Sequence, residues 1–483
     1  MLPDATLDAL RARLRPFEEA EVALVRAVVT ERPWLSERDE HALRYALNLA
    51  RLSRVRTPDG DDLDLEPVLE AYRASVLETA IPVLLRRSGV DHEAVGRLVP
   101  RLEADARALR ARLVETFGGR LPPGALDREV CEKALVLVAG GGGGVGWSYL
   151  GAFELLERYG LVPRLMAGTS MGAILLLFRA RRIRHQPEDV IAALRGLSFR
   201  GIFRFLQSES RYGLPAAMRL YLRAAVGEFL KGPDGHPLAL DQLAIPLVVA
   251  VTGIRTGALP RDPSWYEHLL DPPERMARPH VMKRVATELF QAIGELVGQR
   301  DRFARIYLGA EPETRGFDAI DAVGFSSALP GAIHYDVLRE DPRMHAMLRG
   351  LLERHDVIRL VDGGLVDNLP ARAAWGEVMS GRIGTRNAFV LALEGFGPKL
   401  TQPLWFGLEQ LAAQNVLRNR PFIHHLQSFQ RVLSPIELVP SPDALAVAIQ
   451  DAKAELAPEL PAISRLCRPF PALDPEAGLR AAS

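Results

Sequence analysis

The chain is poor in cysteine and in lysine, and it has no excess of either charge. Its two cysteines, Cys131 and Cys467, stand far apart in 483 residues. That excludes a disulfide scaffold and any zinc or iron–sulfur site built on thiolates. Sixty basic residues balance sixty acidic ones, so generic polyanion binding is not expected and neither is a nucleic-acid partner. Only five of the sixty basic residues are lysines, a bias that reflects genome composition rather than function. The N-terminus, MLPDATLDALRARLRPFEE, is charged throughout and lacks the apolar core of a signal peptide. The longest apolar stretch, 165–178, is about 14 residues long and contains Gly, Thr and Ser, too short to span a bilayer. A cytoplasmic protein is expected, with any membrane contact peripheral. Apolar residues are 48% and charged residues 25%, so a chain of this length can bury a large core.

Residues 1–128 read as a helical region, with Leu7, Leu10, Leu14 and Phe17, then Leu102, Leu109 and Leu113, at helical spacing. The acidic stretch 56–67 lacks the order of a calcium loop and reads as a solvated connection. GGRLPPG at 118–124 is a strong breaker. From Ala134 onward, short apolar runs alternate with helical patterns. ALVLVA (134–139), 164–167, 246–253, 357–364 and 387–395 read as strands, and 147–160 and 171–182 as helices. This alternation predicts an α/β fold with a mostly parallel central sheet covered on both faces. Residues 258–320 read as an insertion over the active edge of that sheet. Residues 377–483 supply the last strand and then helix-like spacing.

Three motifs carry chemistry. Gly168-Thr169-Ser170-Met171-Gly172 places a serine between a strand and a helix, where a sharp turn exposes its hydroxyl above the helix N-terminus. Ala139–Gly146 holds six glycines within seven residues, whose successive N–H groups form an anion-binding nest suited to an oxyanion. Gly141, Gly143 and Gly146 also satisfy G-x-G-x-x-G, but the next strand ends in Gly-Thr-Ser instead of the acidic residue a dinucleotide ribose needs. A P-loop would require Lys-Ser or Lys-Thr after the glycines; Val145-Gly146-Trp147 provides neither. Asp362-Gly363-Gly364 puts an aspartate at the end of an apolar strand, where α/β sheets keep catalytic groups.

In order, spacing and flanks, these motifs resemble the patatin-like phospholipases, in their bacterial form. Gly146 and Gly168 are 22 residues apart, and DGGLVDNLP continues the aspartate motif through Asn368 and Pro370. IPLVVAVTGIRTG (245–257) and FSSALPGAI (325–333) resemble further segments of that family. The resemblance covers residues 134–376. It implies a three-layer fold and a Ser–Asp dyad, with Ser170 the nucleophile and Asp362 the general base. The N–H groups of Gly142, Gly143 and Gly144 would form the oxyanion hole. Gly141 and Gly146 would complete the glycine-rich motif, Gly168 and Gly172 the nucleophile elbow, and Gly363 and Gly364 the aspartate motif. The implied substrate is a phospholipid or other glycerolipid ester at a membrane or micelle surface, and no metal or organic cofactor is implied. The sequence departs from the family pattern at Val145, where an Arg or Lys is usual, and at Asp367, often Asn.

Other readings stay open at this point. One is a non-catalytic lipid- or protein-binding module on the same fold, and another a dinucleotide-dependent oxidoreductase. A third is an α/β-hydrolase triad that draws its base from His424-His425, although PFIHHLQSF reads as a helix face. His334 and His345 read as structural or solvated. RARRIRH (179–185) could meet anionic head groups. GIFRFLQ and 214–230 read as amphipathic helix, core-facing or bilayer-facing. Trp265 and Tyr266 could form a lid tip.

Overall fold

Strand formation here follows from short runs with no polar side chain to solvate, bounded by glycine. Ala134–Ala139 (β1) is buried at every position. Its side chains alternate: Leu135 and Leu137 enter one core, Val136 and Val138 the other. Both faces of the sheet must therefore be covered, and helices cover them. The computed structural model describes residues 3–259, 261–262, 264–265, 300–395 and 414–473, apart from 32, 58, 196 and 206–208.

The longer helices and the strands of the main sheet run in this order. Helices α1 (Asp4–Thr30), α2 (Glu37–Arg51), α3 (Glu66–Thr79) and α4 (His92–Phe117), and a nine-residue helix at Pro123–Cys131, precede β1. After β1 come α5 (Tyr149–Arg158), β2 (Pro163–Gly168), α6 (Ser170–Ala180), α7 (Pro187–Arg195) and β3 (Leu247–Arg255). Then follow β4 (Phe303–Leu308), α8 (Ala319–Ser326), α9 (Pro342–His355) and β5 (Val357–Asp362). The chain continues with α10 (Ala371–Met379), β6 (Ala388–Glu394), β7 (His425–Ser428), α11 (Pro442–Leu456) and α12 (Leu460–Cys467). Side-chain oxygens of Ser36, Asp91, Asp341 and Ser441 cap the N-termini of α2, α4, α9 and α11, each cap worth about 1 kcal/mol.

The sheet runs β5-β3-β2-β1-β6-β7, with β4 also paired to β3. Strands β3, β2, β1, β6 and β7 are parallel, whereas β5 and β4 are antiparallel to β3. The fold is thus α/β with a mostly parallel central sheet and flanking helices. A second, small sheet joins Phe203–Phe205, Met218–Leu220 and Ile333–His334.

Three sequence expectations need correction. Residues 214–230 do not form one amphipathic helix: they give a strand at Met218–Leu220, a short helix at Leu222–Val226 and a 3-10 turn. HLQS is edge strand β7, not a helix face, because pairing with β6 satisfies its backbone on one side only and tolerates polar residues. The presumed insertion contains β4, whose alternation in FARIYL went unread. Of the lid tip, Trp265 is described, while Tyr266 and the rest through 299 lie outside the described residues.

The N-terminal helices are tied to the base of the sheet by buried charge. Glu21 of α1 pairs with Lys133 (2.8 Å), just before β1, and with Arg44 of α2 (3.0 Å). Lys133 also donates to Asn387, just before β6 (2.8 Å), and to Asn48 (3.3 Å). These two cations hold Glu21 below the usual carboxylate range against the cost of its burial. Removing one partner of such a network strands the others without water. Glu21→Leu is expected to destabilise the fold by about 3–5 kcal/mol, with Lys133→Met in the same chain recovering part of the loss. Urea unfolding of the single and double variants measures both.

Candidate active site

Among the described residues, Ser170 is one of two non-glycine residues with positive φ, at +52°. It sits between β2 and α6, at a turn that backbone contacts enforce. The Ser170 N–H donates to Ser326 Oγ (2.8 Å), which in turn donates to the Ala250 carbonyl (2.6 Å). Thr169 is held by its N–H to Ala139 (3.2 Å) and its hydroxyl to the Asp367 carbonyl (2.8 Å). A Cβ on Gly172 would lie 2.5 Å from the carbonyl oxygens of both Ala139 and Gly140, so only glycine lets α6 start this close to the end of β1.

Asp362 reaches the same edge from the opposite direction. β3 overshoots: its Val249 is level with Gly168, the last residue of β2. β5 returns antiparallel along the overshoot and ends with Asp362 opposite Val251. The carboxylate is buried and accepts the Gly364 N–H (2.7 Å). Burial pushes its pKa up to about 6, and hydrogen bonds from the Gly364 N–H and the Ser170 hydroxyl pull only partly the other way. A Cβ on Gly363 would overlap the Ala250 carbonyl, and one on Gly364 would lie 2.9 Å from Asp362 Oδ1.

The glycine loop closes the third side. Gly142 and Gly143 have positive φ, at +152° and +57°. The Gly141 N–H donates to the Asn368 carbonyl (3.3 Å) and the Gly144 N–H to the Pro435 carbonyl (3.0 Å). Among the described residues, the N–H groups of Gly142 and Gly143 have no such backbone acceptor. The Gly144 donor is thus spent on Pro435, and Gly144 does not line the cavity, whereas Gly142 and Gly143 do. Gly146 and Gly168 do not line the cavity either; they bring the loop and β2 against α6, where a Cβ would meet Met171 and Ala173.

Ser170, Asp362 and Gly141–Gly143 share one cavity of about 350 Å³. Among the described residues, its remaining polar side chains are Ser327, Asn368 and the indole of Trp147, and no Lys, Arg or His lines it. Met171, Ile174, Leu175 and Phe178 of α6 form a lining stripe, which extends about 12 Å from Ser170 at 1.5 Å per residue. α7 faces it with Val190, Ala193 and Leu194.

Residues 137–375 match the family model "Patatin-like phospholipase". They are a patatin-like phospholipase domain. The family is one of lipid acyl hydrolases. No curated protein matches the chain significantly.

Within this patatin-like domain, Val145 is buried and does not line the cavity; its side chain packs toward Gly395. The position that usually holds a cation in the family thus braces the loop from behind. Asp367 is also buried and not at the cavity: Tyr307 and Asn419 donate to its two oxygens (2.7 and 2.8 Å). His424 does not line the cavity. Its Nδ1 accepts the Val390 N–H (2.9 Å) and its Nε2 meets Glu18 (2.9 Å). His425 is absent from the lining too, which removes the base of a Ser-Asp-His triad. His345 bonds the Tyr212 hydroxyl and the Arg339 carbonyl, both at 2.9 Å, and His334 is fully buried beside Asp336. Within RARRIRH, Arg179 turns inward to the Arg182 and Ile183 carbonyls (2.9 and 3.0 Å). Ser326 was missed as a residue that holds the elbow; the paired serines in FSSALPGAI were its only signal. Among the described residues no helix is long and apolar enough to cross a membrane, and no group of three or more His, Cys, Asp or Glu gathers as a metal site.

Burial of Asp362 has a measurable cost. Its pKa rises from 3.8 to about 6 on folding, so the folded state retains a proton there that the unfolded state has released. Stability therefore falls as pH rises from about 4 to about 6 and is level above that. Asp362→Asn, which keeps an acceptor for Gly364, is expected to stabilise the chain above pH 6 by up to about 3 kcal/mol, with no gain below pH 4. Thermal unfolding at pH 4 and pH 8 checks this; a lower midpoint than wild type at pH 8 would contradict it.

Proposed function

We propose that this chain is a serine lipid acyl hydrolase that cleaves carboxylic esters of phospholipids or other glycerolipids at a membrane or micelle surface, as a peripheral protein. One observation carries the reading. The polar groups of the cavity, Ser170 and Asp362 beside the Gly142 and Gly143 N–H groups, adjoin a wall that is otherwise apolar. That wall suits an acyl chain, and the polar cluster suits its ester.

In this reading Asp362 takes the hydroxyl proton of Ser170 as Oγ attacks the ester carbonyl carbon. The carbonyl oxygen becomes an oxyanion, stabilised by the N–H groups of Gly142 and Gly143 and by the N-terminus of α6. The intermediate collapses, the C–O bond to the alcohol breaks, and the alcohol leaves with the proton from Asp362. Water then gives a proton to Asp362 and its hydroxyl to the acyl carbon; the acyl–Oγ bond breaks, Oγ takes that proton back from Asp362, and the fatty acid leaves with Ser170 and the Asp362 carboxylate restored. An alcohol in place of that water would make the reaction acyl transfer. With no cation among the described lining residues, selection between esters rests on apolar fit.

Fluorophosphonate labelling followed by intact-mass analysis tests the dyad. One adduct is expected on wild type and none on Ser170→Ala, with labelling at least 100-fold slower in Asp362→Asn. The base must be ionised to act, so the wild-type labelling rate should rise as pH passes about 6 and level off above. Absence of labelling with and without anionic liposomes would instead favour a binding module on this fold. A flat pH profile between 5 and 8 would remove Asp362 as the base.

A further inference from the structure

The cavity is completed by chain outside the matched residues. After β7, residues 434–439 lie across the glycine loop. The Pro435 carbonyl accepts the Gly144 N–H (3.0 Å). A Cβ on Gly143 would overlap the Pro435 carbonyl, and one on Gly144 would overlap the Ser434 carbonyl and lie 2.6 Å from that of Glu437. Backbone rests on backbone here, which glycine on one side permits. The segment is tied down at both ends. Upstream, β7 is paired into the sheet at His425–Ser428. Downstream, Ser441 caps α11, and α11 packs on α5 so closely that a Cβ on Gly151 would overlap the Ile449 carbonyl. Within the segment, Glu437 N–H to Ser434 and Leu438 N–H to Ile436 (both 2.9 Å) fix a turn.

That turn brings Pro435, Ile436, Leu438 and Val439 into the wall of the cavity that holds Ser170. Leu438 and Val439 pack against the main core. Ile436 does not: it is 62% exposed and still lines the cavity, which places it at the mouth. A single exposed apolar side chain is ordinary; one that also faces the cavity beside the oxyanion glycines is positioned to meet substrate.

We propose that residues 434–439 form the outer wall of the acyl site, and that Ile436, at its mouth, is a specificity-determining residue that contacts the acyl chain beyond the carbons nearest the ester. The proposal rests on the hydrolase reading above. It predicts that Ile436 contributes to reaction of long-chain substrates through apolar contact that a short chain cannot reach.

The test compares labelling rate constants of the full chain with an ethyl and a dodecyl fluorophosphonate. The dodecyl-to-ethyl ratio is expected to fall about fivefold in Ile436→Ser and to be kept in Ile436→Leu, as loss of one partly buried apolar contact would give. Val447, 60% exposed on α11 and outside the cavity lining, serves as control, and Val447→Ser should keep the wild-type ratio. An unchanged ratio in Ile436→Ser would overturn the proposal and leave the hydrolase reading standing, since the ethyl probe would still report Ser170. An equal fall in Ile436→Leu or Val447→Ser would also overturn it. Failure of both probes on wild type would remove the hydrolase reading and this proposal together.

Discussion

The site depends on main chain packed against main chain at separations that leave no room for a Cβ. Gly172 rests on the carbonyls of Ala139 and Gly140, Gly363 on that of Ala250, and Gly143 and Gly144 on those of Pro435 and Ser434. Each contact pulls one end of an element to the carboxyl edge of the sheet. Together they force Ser170 into left-handed backbone, which costs about 1–3 kcal/mol and persists only where the surroundings hold it. Here Ser326 and Ala250 hold it through two hydrogen bonds. The glycines are thus less a source of freedom than a removal of volume, and the serine and the aspartate meet because of it.

Electrostatics follows from the same packing. Asp362 and Asp367 lie on one loop, both are buried, and burial raises both pKa values. Their partners differ. Asp367 spends its two oxygens on Tyr307 and Asn419, so it joins β4 to the C-terminal region and offers nothing to a ligand. Asp362 has one backbone donor and otherwise faces Ser170 and the cavity. Burial alone does not make a general base; burial with an unspent lone pair directed at a hydroxyl does. In the proposed mechanism the apolar wall then acts twice, receiving the acyl chain and keeping water from lowering the pKa of Asp362.

Much of the sheet was legible because buried parallel strands have to be apolar without interruption. ALVLVA, the run after Pro246 and NAFVLALEG could hardly be anything else. The motif residues were legible because glycine at fixed offsets around Ser170 and Asp362 has few other uses. What escaped detection was held by partners distant in sequence. β4 and β7 are edge strands with mixed side chains, and β7 reads as helix until β6 is beside it. The antiparallel sense of β5 is invisible in VIRLVD itself. Residues 214–230 have helical spacing, but Gly331 and Ala332 accept the N–H groups of Ala217 and Met218, so sheet pairing overrides local periodicity. At Val145 the sequence posed the question of a missing cation but gave no direction for the side chain; the answer lies in Gly395, 250 residues on. Nothing near Gly144 in sequence shows that Pro435 takes its N–H.

These distant partners bear on what the flanking regions are for. A division at residue 128 separates patterns, yet α1 places Leu7 and Leu14 in the core under β1, Val25 in the core above it, and Phe17 among the N-terminal helices. Glu21 and Lys133 then fix that helix to the starts of β1 and β6. On the other side, residues 434–439 set the position of the glycine loop and face the cavity. The matched residues 137–375 therefore contain the reacting groups but not the whole wall around them. Selectivity can be varied through such a wall, because Ile436 is free to change shape without disturbing the Pro435 carbonyl that holds Gly144. On this view, specificity lies in side chains mounted on a segment whose backbone is already committed to holding the loop.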